Sequence, residues 1–372
     1  MDAVPHHEET ISDGTHIGGE KMRPTHIISL IAIIGVLGAT LGTAHAAPQA
    51  QASMTISYWD HSEPAQETII ATQPQLRKMI PATVSWLAIE AAATAISAMK
   101  AGSFDIITGV GNPPIVSAIA NNSAFKVVWF GSFDAVKLVV RSSISKPTDL
   151  VGKTISDLVG SSQDYALRGW LGTQNLTGKV TILGLSGMET PVVAFTAHRI
   201  DGAYVNDAQA AEMVRAGGHV LVDSVHIAKL GYAGINVSIA REATIRQHPE
   251  EVQGYVCAAV AATKLMESRS RAVRDAAYRG AATMTGQSPD QAVSTGETDL
   301  VDSDVRLGDE LSYFTGKHGS VETSPIVLNY VKTIKFLIAS GALHQSVSAQ
   351  GIASYIDTRF VKKALSGGCS AR

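Results

Sequence analysis

Five junctions between a predicted strand and a predicted helix carry the polar residues with which this sequence could bind a small anion. A helix N-terminus offers unpaired backbone N–H groups and about half a positive charge, so it can hold an acid group without a basic side chain. The junctions are Asp60-His61-Ser62-Glu63-Pro64, Glu90-Ala91-Ala92-Ala93-Thr94, Gly111-Asn112-Pro113-Pro114, Gly160-Ser161-Ser162-Gln163-Asp164 and Tyr204-Val205-Asn206-Asp207. Each of them also has the form of an ordinary helix cap, so both interpretations stay open here.

The aromatic candidates for the same site are Tyr58, Trp59, Tyr165, Tyr204 and Tyr232. Tyr58 and Tyr204 end predicted strands, where side chains reach the edge at which ligands bind. Trp59 alternates away from Tyr58 along its strand, so it belongs equally well to the core. Trp129 is predicted to be a packing residue, as are Trp86 and Trp170.

Enzymatic motifs are absent from the sequence. It contains no Gly-x-Ser-x-Gly, His-Glu-x-x-His or Walker A pattern, and Gly109-x-Gly111 lacks the third glycine of a dinucleotide fingerprint. The histidines are scattered without metal-ligand spacing. A net charge of −3, from 30 basic and 33 acidic residues, gives no basic field for nucleic acid. We therefore expect a protein that is not an enzyme, with no metal, cofactor or nucleic-acid partner.

The elements that would position these residues alternate between strand and helix. From Met54 to Phe130 the pattern is βαβα, which favours a parallel sheet with helices on both faces. A strand at Ala135–Val140 then follows without an intervening helix, and a second βα series begins. One more strand occurs at Ile235–Ala240, and the chain after Glu242 is almost all helix. This order predicts two α/β units, the second inserted into the first.

The N-terminus has the form of a secretory signal peptide. Lys21-Met22-Arg23 is followed by an apolar stretch over 27–41 and by Ala44-His45-Ala46, which has small residues where a signal peptidase requires them. The apolar stretch is too short to cross a hydrocarbon core of about 30 Å. We expect cleavage after Ala46 and export, with Met22 a better start than Met1.

Several segments together resemble a known family. They are Tyr58 with Glu63-Pro64-Ala65, Ser145-Lys146-Pro147 with Asp149-Leu150 and Gly152-Lys153, Asp201-Gly202-Ala203-Tyr204-Val205, Val220-Leu221 with Asp223-Ser224, Arg241, His248-Pro249-Glu250, and Tyr355 with Thr358-Arg359-Phe360-Val361. This ordered set resembles the taurine-binding proteins of bacterial ABC importers. Their wider group binds aliphatic sulfonates, nitrate and thiamine-precursor pyrimidines. The resemblance covers roughly residues 54–361.

The resemblance implies an α/β, two-lobed periplasmic binding protein fold of type II with two crossover strands. Residues 1–46 would be the N-terminal extension and signal peptide. Lobe one would comprise 53–135 plus 236–361, lobe two 136–235, and 362–372 the tail. The ligand would lie between the lobes, which close on it by hinge motion.

The same resemblance implies a monomeric periplasmic receptor that captures taurine or a related sulfonate and delivers it to an ABC permease at the inner membrane. The ligand-binding residues would be Tyr58, Asp60, His61, Glu63, Glu90, Asn112, Ser161, Ser162, Tyr204, Asn206, Asp207 and Asn236. The alternative is an enzyme or sensor of the same fold that binds a nitrogen heterocycle or another small anion.

Three departures from the family pattern bear on the ligand. The taurine binders keep an acidic residue where this chain has Asn236, a Trp where it has Asn206, and a Ser-Gly pair where it has Ala91-Ala92. An ammonium group needs a carboxylate partner. Asp60, Glu63, Glu90 or Asp207 could supply that carboxylate, and Asn236 could instead contact a neutral group. Whether Cys257 pairs with Cys369 stays open.

Overall fold

The computed structural model of the protein describes residues 52–60, 62–184, 190–302 and 306–369. The predicted signal peptide and His61 lie outside the described residues. In the described part of the chain, no helix is long and apolar enough to cross a membrane.

The first sheet has five strands in the order β2-β1-β3-β10-β4. They are β1 (Ala52–Trp59), β2 (Ala82–Ile89), β3 (Ile106–Gly111), β4 (Phe125–Phe133) and β10 (Ile235–Arg241). Strands β2 and β3 run parallel to β1, whereas β10 is antiparallel to both β3 and β4.

The second sheet also has five strands, in the order β7-β6-β8-β5-β9. They are β5 (Val136–Arg141), β6 (Thr154–Asp157), β7 (Thr181–Gly184), β8 (Gly202–Asn206) and β9 (Gly218–Asp223). Strands β6, β7 and β8 are parallel, whereas β5 is antiparallel to β8 and β9.

The parallel arrangement expected from the βαβα pattern holds for β1 to β4, and the strands that run opposite to their neighbours, β5 and β10, are the crossover strands. Only Asp134 and Ala135 separate the end of β4 from the start of β5. A strand that enters a sheet from the other lobe starts at the cleft, where the carboxyl ends of the parallel strands lie. It must therefore run opposite to them, as β5 and β10 do.

Helices cover both sheets, and most of the chain after β10 is helical. They are α1 (Gln66–Thr72), α2 (Pro74–Arg77), α3 (Ala92–Lys100), α4 (Asn112–Ala120), α5 (Ser162–Thr173), α6 (Thr190–Thr196), α7 (Asp207–Arg215), α8 (Ser224–Lys229), α9 (Glu242–Gln247), α10 (Pro249–Met266), α11 (Arg271–Thr285), α12 (Pro289–Asp302), α13 (Glu310–Phe314), α14 (Pro325–Ala339), α15 (Ala349–Ala353) and α16 (Thr358–Leu365). Helices α1 and α2 are divided at Gln73, because Pro74 disfavours helical backbone in the residue before it.

Each sheet carries its own apolar core. In the first, the sheet residues Ile56 and Ile239 are fully buried and pack with α10. In the second, Leu138, Ile155 and Leu167 are fully buried between the sheet and α5. A further cluster, which includes Val139, Phe195 and Met213, also belongs to the second sheet. The two sheets are joined at two crossovers, and the cleft between them holds the candidate site.

A disulfide bond ties the C-terminal end to the first core. Cys257 on α10 and Cys369, beyond α16, are bonded across a sequence separation of 112 residues. The pairing that the sequence left open is therefore present in the structure.

Candidate functional site

A cavity of about 280 Å³ lies between the two sheets. Its walls come from α1, the start of α3, the cleft ends of β3, β4 and β10, and α10 on one side. The start of α5 and the end of β8 form the other side. Pockets for drug-sized ligands typically measure about 300–1,000 Å³. The cavity lies just below the lower end of that range.

The charge of the cavity wall is one-sided. Five carboxyl side chains line it, those of Glu63, Glu67, Glu90, Asp134 and Asp299. Among the described lining residues there is no Lys, Arg or His. An acid group in this cavity would have to be held by backbone N–H groups and neutral side chains, whereas a basic group would meet carboxylates directly.

Half of the predicted site residues lie on this cavity. The lining includes Glu63, Glu90, Ser161, Ser162, Asn206 and Asn236. The described residues that were predicted but do not line it are Tyr58, Asp60, Asn112, Tyr204 and Asp207.

Asn112 was expected to cap α4 and to face the ligand, but it lies one residue inside the helix. Gly111 is at the N-cap position, and Asn112 is fully buried. Its Nδ2 donates to Thr333 Oγ1 at 2.7 Å, and its Oδ1 accepts from the Ile235 backbone N–H at 3.4 Å. The side chain therefore joins α4 to α14 and β10 instead of facing the cavity.

The two tyrosines at strand ends are likewise not on the cavity wall. Tyr58 and Trp59 are neighbours on β1 and point to opposite faces, and it is Trp59 that lines the cavity. The Trp59 Nε1–H donates to the Thr108 and Gly109 carbonyls, both at 3.0 Å. Tyr204 is 1% exposed and belongs to the core of the second sheet.

Helix α7 does not offer free N–H groups to a ligand. Asn206 Oδ1 caps it by accepting from the Gln209 N–H at 3.0 Å. The Glu63 carboxylate accepts from the backbone N–H groups of Asp207 and Ala208. Asp207 itself pairs with Lys137 at 2.5 Å. Glu63 lies before α1 and α7 follows β8, so this carboxylate bridges the two sides of the cleft.

Burial raises the pKa of Glu63 to about 7, although the N–H groups of Asp207 and Ala208 favour its ionised form. Glu63 is half-buried, and its Oε1 atom has no hydrogen-bond partner among the described residues. The inter-lobe contact through Glu63 is therefore sensitive to pH near neutrality.

Ser161 caps α5 as its sequence pattern predicts. Its Oγ accepts from the N–H groups of Gln163 and Asp164 at 3.1 and 3.3 Å. Asp164 Oδ2 in turn accepts from the Gly160 N–H at 3.0 Å, which gives the same helix start a second side-chain bond. The Ser161 hydroxyl accepts twice and keeps its own proton, so it can still donate to a ligand in the cavity.

Asp134, in the first crossover, joins side chains from both sides of the cleft. Its Oδ1 accepts from Asn236 Nδ2 at 2.8 Å and from Ser162 Oγ at 3.1 Å. Its backbone N–H donates to the Gly234 carbonyl in the second crossover at 3.0 Å. Burial raises the pKa of Asp134, and the bonds from Asn236 and Ser162 oppose the rise. At the position where the family pattern has an acidic residue, this chain therefore has an amide that donates to the Asp134 carboxylate.

Glu67 on α1 was not among the predicted residues. It is 5% exposed, and burial raises its pKa to about 6 against the hydrogen bond with Thr108. Beside it in the lining lie Ser238 and Tyr255, whose hydroxyl oxygens are 2.8 Å apart. The available sequence signal was the position of Glu67 in the first turn of a helix that follows one of the predicted strand–helix junctions.

Two sets of donors remain for an acid group. No side chain caps the N-terminus of α3, where Ala91, Ala92 and Ala93 line the cavity. The first N–H groups of that helix therefore have no intrahelical partner. Trp129 is 1% exposed and also lines the cavity, and its buried Nε1–H has no partner among the described residues. This residue was predicted to be packing only.

Metal binding has no support in this geometry. Within the described ranges, no group of three or more His, Cys, Asp or Glu side chains could hold a metal ion.

Comparison with known proteins identifies relatives of the chain. Residues 131–269 match the family model described as NMT1/THI5 like. The taurine-binding periplasmic protein of Escherichia coli (strain K12) is 30% identical over 216 residues, which are 57% of this chain and 66% of that protein. The matched stretch is thus slightly less than two thirds of the relative's length.

Solved structures share the fold. The alkanesulfonate-binding protein SsuA from Xanthomonas axonopodis pv. citri, bound to MOPS, matches with a TM-score of 0.64 at 19% identity, over 82% of this chain and 98% of that one. The desulfurization enzyme DSZB matches with a TM-score of 0.56 at 17% identity, over 86% of this chain and all of that one. The predicted fold class and the predicted resemblance to taurine- and sulfonate-binding proteins are both confirmed by these matches.

Proposed function

We propose that this chain, a relative of the taurine- and sulfonate-binding proteins, is the periplasmic receptor of an ABC importer for a small organosulfonate that also carries an amino group. Taurine is the simplest such ligand. The receptor binds it between the two lobes and delivers it to an inner-membrane permease. It is exported by the predicted signal peptide and acts as a monomer.

The observation that carries the proposal is the one-sided charge of the cavity. Its described wall combines five carboxyl groups with no basic side chain, while uncapped helix N–H groups provide sites for an acid group. A ligand that is only an anion would be repelled by the carboxylates. A ligand with an ammonium group neutralises part of that charge, and its acid group is held by dipoles.

The sulfonate oxygens would accept from the first N–H groups of α3 and from the Trp129 Nε1–H. Both sets of donors lack protein partners, so bonds to the ligand replace no existing ones. A buried donor left unsatisfied costs about 1–3 kcal/mol, which makes binding of an acceptor at Trp129 favourable. The Ser161 hydroxyl would supply a further donor from the second lobe.

Binding without chemical conversion fits the described wall better than the desulfurization activity of the fold relative. The described lining contains no cysteine or histidine, which are common nucleophile and base residues.

Isothermal titration with the ligand-free chain from Ala47 tests the proposal. The panel holds taurine, isethionate, ethanesulfonate, nitrate and a neutral aminopyrimidine. We expect the tightest binding with taurine, since it alone in the panel carries both a sulfonate and an ammonium group. Tightest binding of nitrate or the pyrimidine would contradict the proposal, and so would no binding of any sulfonate. Mass spectrometry of the solution after the titration would detect catalysis as sulfur-containing products released from taurine.

A further inference from the structure

Glu67 is a buried carboxyl group without a cationic partner. It lies in the first turn of α1 and is 5% exposed. The ion pairs among the described residues do not include it. An isolated buried carboxylate is costly, and proteins keep such groups paired or coordinated. Glu67 therefore lacks the partner that its burial would ordinarily require.

The groups packed around Glu67 do not supply the missing charge. Thr108 on β3 hydrogen-bonds to the carboxyl, but the Thr108 hydroxyl also lies 3.0 Å from the Ser57 carbonyl, to which it donates. A hydroxyl has one proton, so it cannot serve both acceptors fully. On α10, Tyr255 lies near Glu67 and interacts electrostatically with it and with Glu310.

Glu310 on α13 adds a second buried carboxyl to this region. It is 1% exposed, and one oxygen accepts from the Phe130 backbone N–H at 2.9 Å while the other has no described partner. Unlike Glu67, it does not line the cavity. Two buried carboxyl groups therefore lie near Tyr255, namely Glu67 on the cavity wall and Glu310 away from it. Neither has a cationic partner among the described residues.

We propose that Glu67, with the Ser238 and Tyr255 hydroxyls beside it, forms the subsite that binds a primary ammonium group of the ligand. This inference rests on the proposed function, and it names which of the five lining carboxylates is the cation site. The ligand class is a primary amine and not a quaternary ammonium. One carboxylate and two hydroxyls that are 2.8 Å apart provide directional acceptors for N–H groups.

The geometry distinguishes Glu67 from the other lining carboxyls. Glu63 already accepts from the α7 backbone, and Asp134 from Asn236 and Ser162. Glu90 is exposed to solvent, where an ion pair contributes little. Asp299 is only half-buried. The buried Glu67 carboxyl has, besides its own backbone N–H, the Thr108 hydroxyl, which it shares with another acceptor.

The test compares two ligands that differ in one group. Taurine has an ammonium where isethionate has a hydroxyl, and both carry the same sulfonate. For Glu67→Gln we expect taurine affinity to fall about 100-fold, while isethionate affinity changes less than about threefold. Glu310→Gln is the matched control, because it removes a buried charge from the same region without changing the wall. It should leave the taurine-to-isethionate ratio unchanged.

Proton release in the wild-type chain gives a second measurement that needs no variant. Near pH 6 the Glu67 carboxyl is about half protonated, and pairing with an ammonium ionises it. Titrations in two buffers of different ionisation enthalpy should show release of roughly half a proton with taurine and much less with isethionate. Equal release with both ligands, or an equal loss of affinity for both in Glu67→Gln, overturns the subsite.

Failure of the proposed function gives a different pattern. If no sulfonate binds the wild-type chain, amines without an acid group, such as ethanolamine and propylamine, become the probes. Amine binding that Glu67→Gln abolishes would retain the subsite and reject the sulfonate. Absence of amine binding would reject the subsite as well.

Discussion

The pH dependence of stability should change in a defined way when Glu67 becomes glutamine. Burial raises the pKa of this carboxyl from 4.5 to about 6, a difference worth about 2 kcal/mol. The folded protein binds the proton more tightly than the unfolded chain does. The carboxyl therefore costs no stability below about pH 4.5, and the cost appears as the pH rises towards and beyond 6.

Glu67→Gln removes this titration while it keeps the size of the side chain. The free energy of unfolding of the variant, minus that of the wild type, should therefore increase by about 2 kcal/mol between pH 4 and pH 8. Taking the difference cancels the titration of all other groups. Any constant effect of the amide on packing shifts the difference curve without changing its shape.

Urea unfolding of the ligand-free proteins at several pH values measures this difference. Equal m-values would show that the substitution leaves the extent of unfolding unchanged. A flat curve for Glu67→Gln would refute the argument, since it would mean that the folded protein solvates this carboxyl as well as water does.

Three further predictions concern the links across and around the cleft. Asp134→Ala removes the acceptor of the buried Ser162 hydroxyl, and we expect the free energy of unfolding in urea to fall by about 1–3 kcal/mol because that donor is left unsatisfied. An unchanged free energy would show that water replaces the carboxylate. Glu63→Ala removes the carboxylate that bridges to α7. Small-angle scattering of the ligand-free variant should therefore give a larger radius of gyration than that of the ligand-free wild type. An unchanged radius would contradict a bridging role. Replacing Cys257 and Cys369 by serine opens a loop of 112 residues and should lower the free energy of unfolding by up to about 4–5 kcal/mol. Ligand affinity should not change. An unchanged melting temperature would show that the disulfide bond contributes nothing to stability.

The charge of the whole chain gives no indication of the charge in the cleft. The net charge is −3, close to balance, and the wall of the cavity has carboxyl groups without any described basic residue. The basic residues of the described chain are instead paired or exposed elsewhere, such as Lys126 with Glu242 and Arg274 with Glu297. Ligand preference therefore depends on which side chains meet at the cleft, and overall composition does not report it.

Secondary structure and the order of elements could be predicted from the sequence because they depend on local patterns. The apolar runs that become β1 and β10 have strand length, and Ser161 lies where a helix needs a cap. The absence of a helix before Ala135–Val140 marked the first crossover. These features are encoded within short stretches of chain, since periodicity and capping involve neighbouring residues only.

The composition of the site was decided by the tertiary structure. Glu67, Trp129 and Tyr255 come from a helix, a strand and a second helix that are far apart in sequence, so no spacing connects them. Asn112 has the sequence context of a ligand-binding cap, yet packing of α14 against α4 takes its amide for Thr333. The sequence alone determined which residues end strands and begin helices. Packing of distant segments decided which of these residues face the cavity and which carboxyls lose water without gaining a cation, because desolvation arises only when such segments come together.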